Sequence, residues 1–146
     1  VKKLAYIIML SNLLLLGCEH DLKYTKDTCH RRYYLESPAL ITDKDRQNCS
    51  ECRFSRWEVY DKNEKRYIAH IAYDPFKCFI EFLRVDEGYK EQGIGKKLAY
   101  KAIKDMRIKY NCEKISLRSS LEGEKFWEKL GAQRNDNDGK YYFSNS

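Results

Sequence analysis

One change of hydrophobic period, at Gly93, constrains the fold of this chain more than any other feature. Residues 78–85 are a mostly apolar run, the pattern of a strand buried on both faces. From Gly93 to Tyr110 the apolar residues recur as Ile94, Leu98, Ala102, Met106 and Tyr110, while Lys96, Lys97, Lys101, Lys104 and Lys109 fall largely elsewhere, so this stretch reads as an amphipathic helix. A further strand at residues 114–118, where Ile115 and Leu117 alternate with polar neighbours, follows the helix. Strand, helix and strand in that order predict a crossover between two parallel strands. The expected fold class is α/β or α+β.

The flanking segments extend this core. Residues 54–60 and 66–73 are rich in aromatic and β-branched types and are separated by Asp61-Lys62-Asn63-Glu64-Lys65, which predicts a hairpin. Asp74-Pro75-Phe76-Lys77 then supplies a second turn before the central strand. Downstream, Ser119 and Glu122 have capping-box spacing ahead of Phe126, Trp127 and Leu130, and Gly131 stands where a helix C-terminus takes a left-handed residue. A last turn at residues 135–139 leads to a strand at 140–144. Upstream, residues 19–36 are polar and Tyr-rich without a period. They read as a tether entering a first strand near 32–35, and Ser37-Pro38 then opens a short helix over 39–48.

The first residues carry a different signal. Lys2 and Lys3 precede an apolar run from Leu4 to Leu16 that is shorter than the roughly 20 residues a membrane span needs, which is the pattern of a secretory signal. Leu15-Leu16-Gly17-Cys18 resembles the lipobox of bacterial lipoproteins, which implies cleavage before Cys18 and a lipid on its sulfur. The expected organisation is a signal at 1–17, a tether at 18–30 and one domain at 31–146, which leaves no room for a second domain. The expected location is membrane-anchored through Cys18, or cytoplasmic if the start is misplaced.

Six cysteines are present, and without Cys18 an odd set remains. Cys49-Ser50-Glu51-Cys52 has the spacing of metal and redox sites, but it lacks a second pair and has only His30 as a complement, so no metal is expected. Cys78 and Cys112 each precede a strand of the parallel pair and are candidates for a disulfide in an exported chain, provided their Cα atoms lie within about 7 Å. The formal charge of +6 includes Lys2 and Lys3, and the remaining basic residues are spread along the chain. No nucleic-acid partner is expected.

The turn Val85-Asp86-Glu87-Gly88-Tyr89-Lys90-Glu91-Gln92-Gly93-Ile94-Gly95 opens directly into the long helix. Glycines there keep side chains out of a ligand's way, and the free amides of a helical first turn attract a pyrophosphate, assisted by Lys90, Lys96 and Lys97. The P-loop pattern is absent, because Gly95 has Lys90 five residues before it and Lys97 after Lys96. A dinucleotide fingerprint would need a glycine where Leu98 stands. Lys90 to Gly95 instead resembles the [QR]-x-x-G-x-[GA] pattern of the GNAT family of CoA-dependent N-acetyltransferases, with Lys90 replacing Arg or Gln. Val85 to Tyr89 is similar to that family's Val-Asp-Pro-x-Tyr approach, with Glu87 in place of Pro. Phe126-Trp127-Glu128-Lys129-Leu130-Gly131-Ala132 resembles the family's F-Y-E-K-L-G-F.

The resemblance implies a single GNAT-like domain with a mixed central sheet. It implies acetyl-CoA as co-substrate, the pyrophosphate on the turn of Lys90, Glu91, Gln92, Gly93, Ile94, Gly95 and Lys96, and the pantetheine arm on the main chain of Leu83 and Val85. The expected activity is acetyl transfer to a primary amine of a small molecule or protein. The alternative is a catalytically weak CoA-binding or interaction protein on the same scaffold, and a structural lipoprotein is a third reading. Glu81, two residues before Leu83 on the central strand, is the candidate general base. Trp127 occupies the position of the Tyr that commonly protonates the CoA thiolate in that family. Tyr89, Tyr100, Tyr141 and Tyr142 are candidate substitutes.

Overall fold

The computed structural model describes residues 21–30 and 54–145. These residues form one sheet with the elements β1 (Leu22–His30), β2 (Phe54–Asp61), β3 (Arg66–Asp74), β4 (Phe79–Val85), α1 (Ile94–Tyr110), β5 (Lys114–Leu117), α2 (Glu124–Lys129), β6 (Gln133–Arg134) and β7 (Tyr141–Ser144). The strand order is β1-β2-β3-β4-β5-β7-β6. Neighbouring strands run antiparallel except β4 and β5, the parallel pair that α1 joins. The mixed sheet and the crossover are therefore as the sequence predicts.

Two aspartates set the turns of the antiparallel half. The Asp61 carboxylate accepts the amides of Asn63 at 2.8 Å and Glu64 at 3.2 Å, and Asp74 accepts those of Phe76 at 3.1 Å and Lys77 at 3.2 Å. Each side chain thus stands in for a backbone acceptor and turns the chain back on itself. α1 buries Ile94, Leu98, Ala99, Ala102, Ile103, Asp105 and Met106 and ends at Asn111, which is left-handed at φ 55°. Gly131 is also left-handed, at φ 98°, where α2 gives way to β6.

Three expectations need correction. The segment read as a tether is largely β1, paired with β2 from Leu22↔Asp61 onward. Alternating polar residues hid it, because its outer positions face solvent at a sheet edge. The cap ahead of α2 belongs to Ser120, whose hydroxyl accepts the Gly123 amide at 3.3 Å. Ser119 instead donates to the Ser120 carbonyl at 2.8 Å, and a short 3-10 turn at Leu121–Gly123 precedes the helix. The membrane-anchored location is also corrected: among the described residues no helix is long and apolar enough to cross a membrane, and these residues build a folded sheet-and-helix domain. The signal, Cys18, the strand near 32–35, the helix over 39–48 and the Cys49–Cys52 pair lie outside the described residues.

A charged knot ties α1 to the sheet. Asp105 is only 8% exposed, and its carboxylate receives Lys26 from β1 at 2.7 Å and the Tyr73 hydroxyl from β3 at 2.7 Å, with Lys109 at 3.4 Å. Burial pushes the Asp105 carboxyl upward, but the hydrogen bonds from Lys26 and Tyr73 and the charges of Lys26 and Lys109 outweigh it, so the group titrates below its ordinary range. Beside the knot, Lys97 lies 4.2 Å from the Tyr24 ring centre and Lys101 4.3 Å from that of Trp57. The ammonium groups of these lysines lie over the aromatic faces, an attraction between the cation and the ring quadrupole. At the opposite end of β4, Cys78 and Cys112 form a disulfide with their Cα atoms 5.7 Å apart, linking residues 34 apart in sequence.

Two stability predictions follow from these ties. Asp105→Asn leaves Lys26 facing a neutral group and should cost about 3 kcal/mol in denaturant unfolding. Because the folded-state carboxyl lies below its unfolded value, the native chain keeps this contribution above about pH 4 and loses it as pH falls further. The variant's stability should change less over that acid range. Replacing Cys78 and Cys112 together by Ser should lower stability by about 2–4 kcal/mol through the lost loop constraint, and a reductant should have no further effect on that variant.

Candidate functional site

The site arises where β4 leaves β5. The two strands pair only at Phe79↔Ser116 and Ile80↔Leu117, although β4 continues to Val85 along β3. On β3, Ala72 faces Phe82 and the next residue, Tyr73, faces Ile80, so Glu81 is an extra, bulged residue of β4. A bulge bends its strand and strengthens its twist. It lies immediately after the last β4–β5 pair, and the parallel strands splay beyond it. The edge of Glu81 to Val85 toward β5 has no strand partner among the described residues. Its main-chain donors and acceptors are open to an extended ligand.

A cleft of about 690 Å³ fills the gap. One wall is β4 with Glu81, Leu83 and Val85, and Ile80 and Leu117 form the floor at the end of the splay. The far wall is the loop from Arg118 to Gly123 together with Phe126 and Trp127 of α2. Lys90, Glu91, Gly93, Ile94, Gly95 and Lys96 close the end toward α1. The cleft therefore brings together Glu81 and eight of the nine residues expected to bind the cofactor. Gln92 is the exception: its amide turns away and donates to the Gly88 carbonyl at 3.3 Å.

The start of α1 leaves its first amides without a side-chain cap. Its N-cap, Gly93, is left-handed at φ 79° and supplies no side-chain cap, and the first turn contains no acid. The amides there are consequently unclaimed by a capping side chain, with the positive end of the helix dipole behind them. The two glycines act differently. Gly93 has open space around it and is needed for its φ, whereas a Cβ at Gly95 would sit 3.4 Å from the Phe126 ring and 3.5 Å from Val85 Cγ2. A Cβ at Gly95 would therefore make ordinary van der Waals contact with both walls. Among the nearby bases, Lys90 is ion-paired with Glu87 at 2.6 Å, and Lys97 is turned toward Tyr24 outside the cleft. The Glu87 partner raises the Lys90 ammonium pKa.

Trp127 serves both core and cleft. It is 6% exposed, meets Phe126 edge-on at 4.9 Å and Phe143 at 6.2 Å, and lines the far wall. Of the four tyrosines considered as acids, only Tyr89 lines the cleft, and its hydroxyl donates to Asp61 at 2.7 Å. That hydrogen bond, and then burial, raises its pKa. Of the far wall the sequence marks only Trp127; it makes Arg118 the end of a strand and Ser119 a helix cap, and the splay brings both, with Ser120, to the site. Among the described residues no group of three or more His, Cys, Asp or Glu side chains is placed to hold a metal ion.

Comparison with known proteins agrees with this geometry. A GNAT-family acetyltransferase from Staphylococcus aureus Mu50 superposes with a TM-score of 0.56 at 17% identity, covering 84% of this chain and 99% of its own. Another from Desulfovibrio desulfuricans gives 0.57 at 12% identity, with 84% and 98% covered. The PaiA N-acetyltransferase of Thermoplasma acidophilum, solved in complex with coenzyme A, gives 0.53 at 21% identity over 64% of this chain and 60% of its own. At these identities the likeness is one of fold. A search of curated protein sequences finds no match. Residues 21–132 match the model of the acetyltransferase (GNAT) family, and the chain, with its splayed parallel pair and glycine-bounded helix start, belongs to that family.

Proposed function

We propose that the cleft binds acetyl-CoA and transfers its acetyl group to a primary amine only slowly, so that cofactor binding is the stronger of its two properties. One observation carries the binding half: the free edge of β4 and the uncapped start of α1 open into the same cleft. In this reading the pantetheine arm lies along Leu83 and Val85 as an added strand would. The pyrophosphate sits on the turn from Lys90 to Lys96, with the Gly93 to Lys96 amides as donors. The CoA complex of the PaiA relative supports the same ligand class.

Transfer requires an amine nitrogen to attack the thioester carbonyl, a base to take the amine proton, and the C–S bond to break with release of the CoA thiolate. Glu81 is the proposed base, since the bulge places it at the cleft beside the edge expected to hold the thioester. For the thiolate, Trp127 offers an indole N–H, which donates a hydrogen bond but does not release a proton at neutral pH. Tyr89 has its hydroxyl committed to Asp61. The thiolate then takes its proton from water, without the factor of about 10²–10⁴ that a positioned acid contributes.

Titration calorimetry of residues 19–146 should show acetyl-CoA and CoA binding with one site per chain. Absence of binding would reject the reading. Across a panel of small amines and lysine peptides, turnover should reach about 0.1 s⁻¹ or less, against a median near 10 s⁻¹ for enzymes generally. Glu81→Gln should lower it roughly 10²-fold and alter its pH dependence while leaving the CoA Kd in place. Unchanged kinetics would remove Glu81 from the mechanism. Binding without any transfer would select the alternative, a CoA-binding or interaction protein on this scaffold, which Trp127 favours.

A further inference from the structure

The turn before α1 is held from below by a buried contact between Tyr89, which lines the cleft, and Asp61, which does not. Tyr89 is 4% exposed and donates its hydroxyl to Oδ2 of Asp61 at 2.7 Å, and Asp61, at the end of β2, is fully buried. The other Asp61 oxygen already shapes the β2–β3 turn by accepting the Asn63 and Glu64 amides. One carboxylate therefore joins the hairpin turn to the turn that leads into α1, across 28 residues of sequence.

Two further contacts run in parallel. Arg66, at the start of β3, pairs with Asp86 and places its guanidinium 5.5 Å from the Tyr89 ring centre. The Asp86 amide donates to the Ile68 carbonyl at 2.8 Å. Asp86 and Tyr89 bracket the short 3-10 turn at Glu87–Tyr89, and the next residue, Lys90, begins the segment that closes the cleft. The segment's side-chain ties, the Lys90–Glu87 ion pair and the Gln92 bond to the Gly88 carbonyl, are made by exposed groups. Its α1 cap is a bare glycine, and Glu91 is left-handed at φ 63°, a conformation that costs a non-glycine residue energy.

We infer that Tyr89 and Asp61 are positioning residues for the cofactor, holding the amides of Gly93 to Lys96 in the arrangement that receives the pyrophosphate. This rests on the acetyl-CoA reading of the cleft. The pair does not touch the reacting atoms. Its effect falls on binding, because an anion gains most from donors whose geometry is fixed before it arrives.

The test compares wild type, Tyr89→Phe and, as a control for general destabilisation, the Cys78→Ser, Cys112→Ser double variant, whose lost disulfide lies at the other end of β4 from the turn. Tyr89→Phe should raise the CoA Kd and the acetyl-CoA KM about tenfold while kcat stays within twofold. The double cysteine variant should lower the melting temperature with the Kd unchanged. Hydrogen exchange on the ligand-free proteins supplies the second readout. The Asp86, Tyr89 and Lys97 amides, hydrogen-bonded to Ile68, Asp86 and Gly93 in turn, should exchange faster in Tyr89→Phe than in wild type. Unchanged exchange, or a Kd shift no larger than in the control, overturns the inference. Wild-type protein that binds no CoA would instead overturn the cofactor reading, and the exchange comparison would still decide whether Tyr89 and Asp61 order the turn.

Discussion

Two parallel strands that pair at only two positions and then part are what the site depends on. Phe79 and Ile80 are held by Ser116 and Leu117, and the bulge at Glu81 then bends β4 away. A fully paired β4 would satisfy its own backbone and leave no edge for a ligand. An unpaired β4 without a floor would leave that edge in water. The splay gives both conditions, because Ile80 and Leu117, 2% and 1% exposed, close the bottom while the edge beyond remains open. The Cys78–Cys112 disulfide lies at the paired end of the splay.

The helix must start at the mouth of this opening, and the rest of the packing fixes it there. Leu98, Ala102 and Met106 bury the apolar face against the sheet, and Asp105 fixes the helix through Lys26 and Tyr73. Dispersion and hydrophobic burial change little with small rotations of a helix, whereas a buried carboxylate needs its partners at hydrogen-bond distance. The knot thus contributes orientation as well as stability. It also makes β1 part of the framework through Lys26, a role that no periodicity in β1 announces.

Legibility followed the range of the interactions. The hairpin, the apolar central strand, the long helix and the Gly93–Gly95 turn were readable because each rests on neighbours in sequence, such as Asp61 or Asp74 capturing the amides two and three residues on. β1 was missed because Lys23 and Lys26 make a strand look like polar tether, and only the pairing with β2 and the Asp105 contact reveal its place. Glu81 lines the cleft together with Leu83 and Val85, though alternation along β4 is an incomplete reason for it. Alternation puts residues 81, 83 and 85 on one face, whereas the bulge interrupts that count and brings Ile80 and Phe82 to the cleft as well. The loop from Arg118 to Gly123 could not be found from sequence, since its place opposite β4 depends on the same bulge some 40 residues earlier.

The site separates binding from chemistry by the kind of atom each uses. On the proposed reading, recognition of an extended thioester and a pyrophosphate falls on main-chain groups: the edge of β4 and the amides at the start of α1. Those groups follow from the strand splay and from the left-handed turn at Gly93, so they persist in a sequence that keeps both. Proton transfer instead requires particular side chains with particular pKa values, and one substitution removes it. Trp127 illustrates the difference. Its ring preserves the packing against Phe126 and Phe143, so the wall of the cleft stands, while the ring nitrogen offers no transferable proton. On the proposed reading, a chain that keeps the splay and the turn at Gly93 keeps its cofactor cleft even where the side chain for proton transfer has changed.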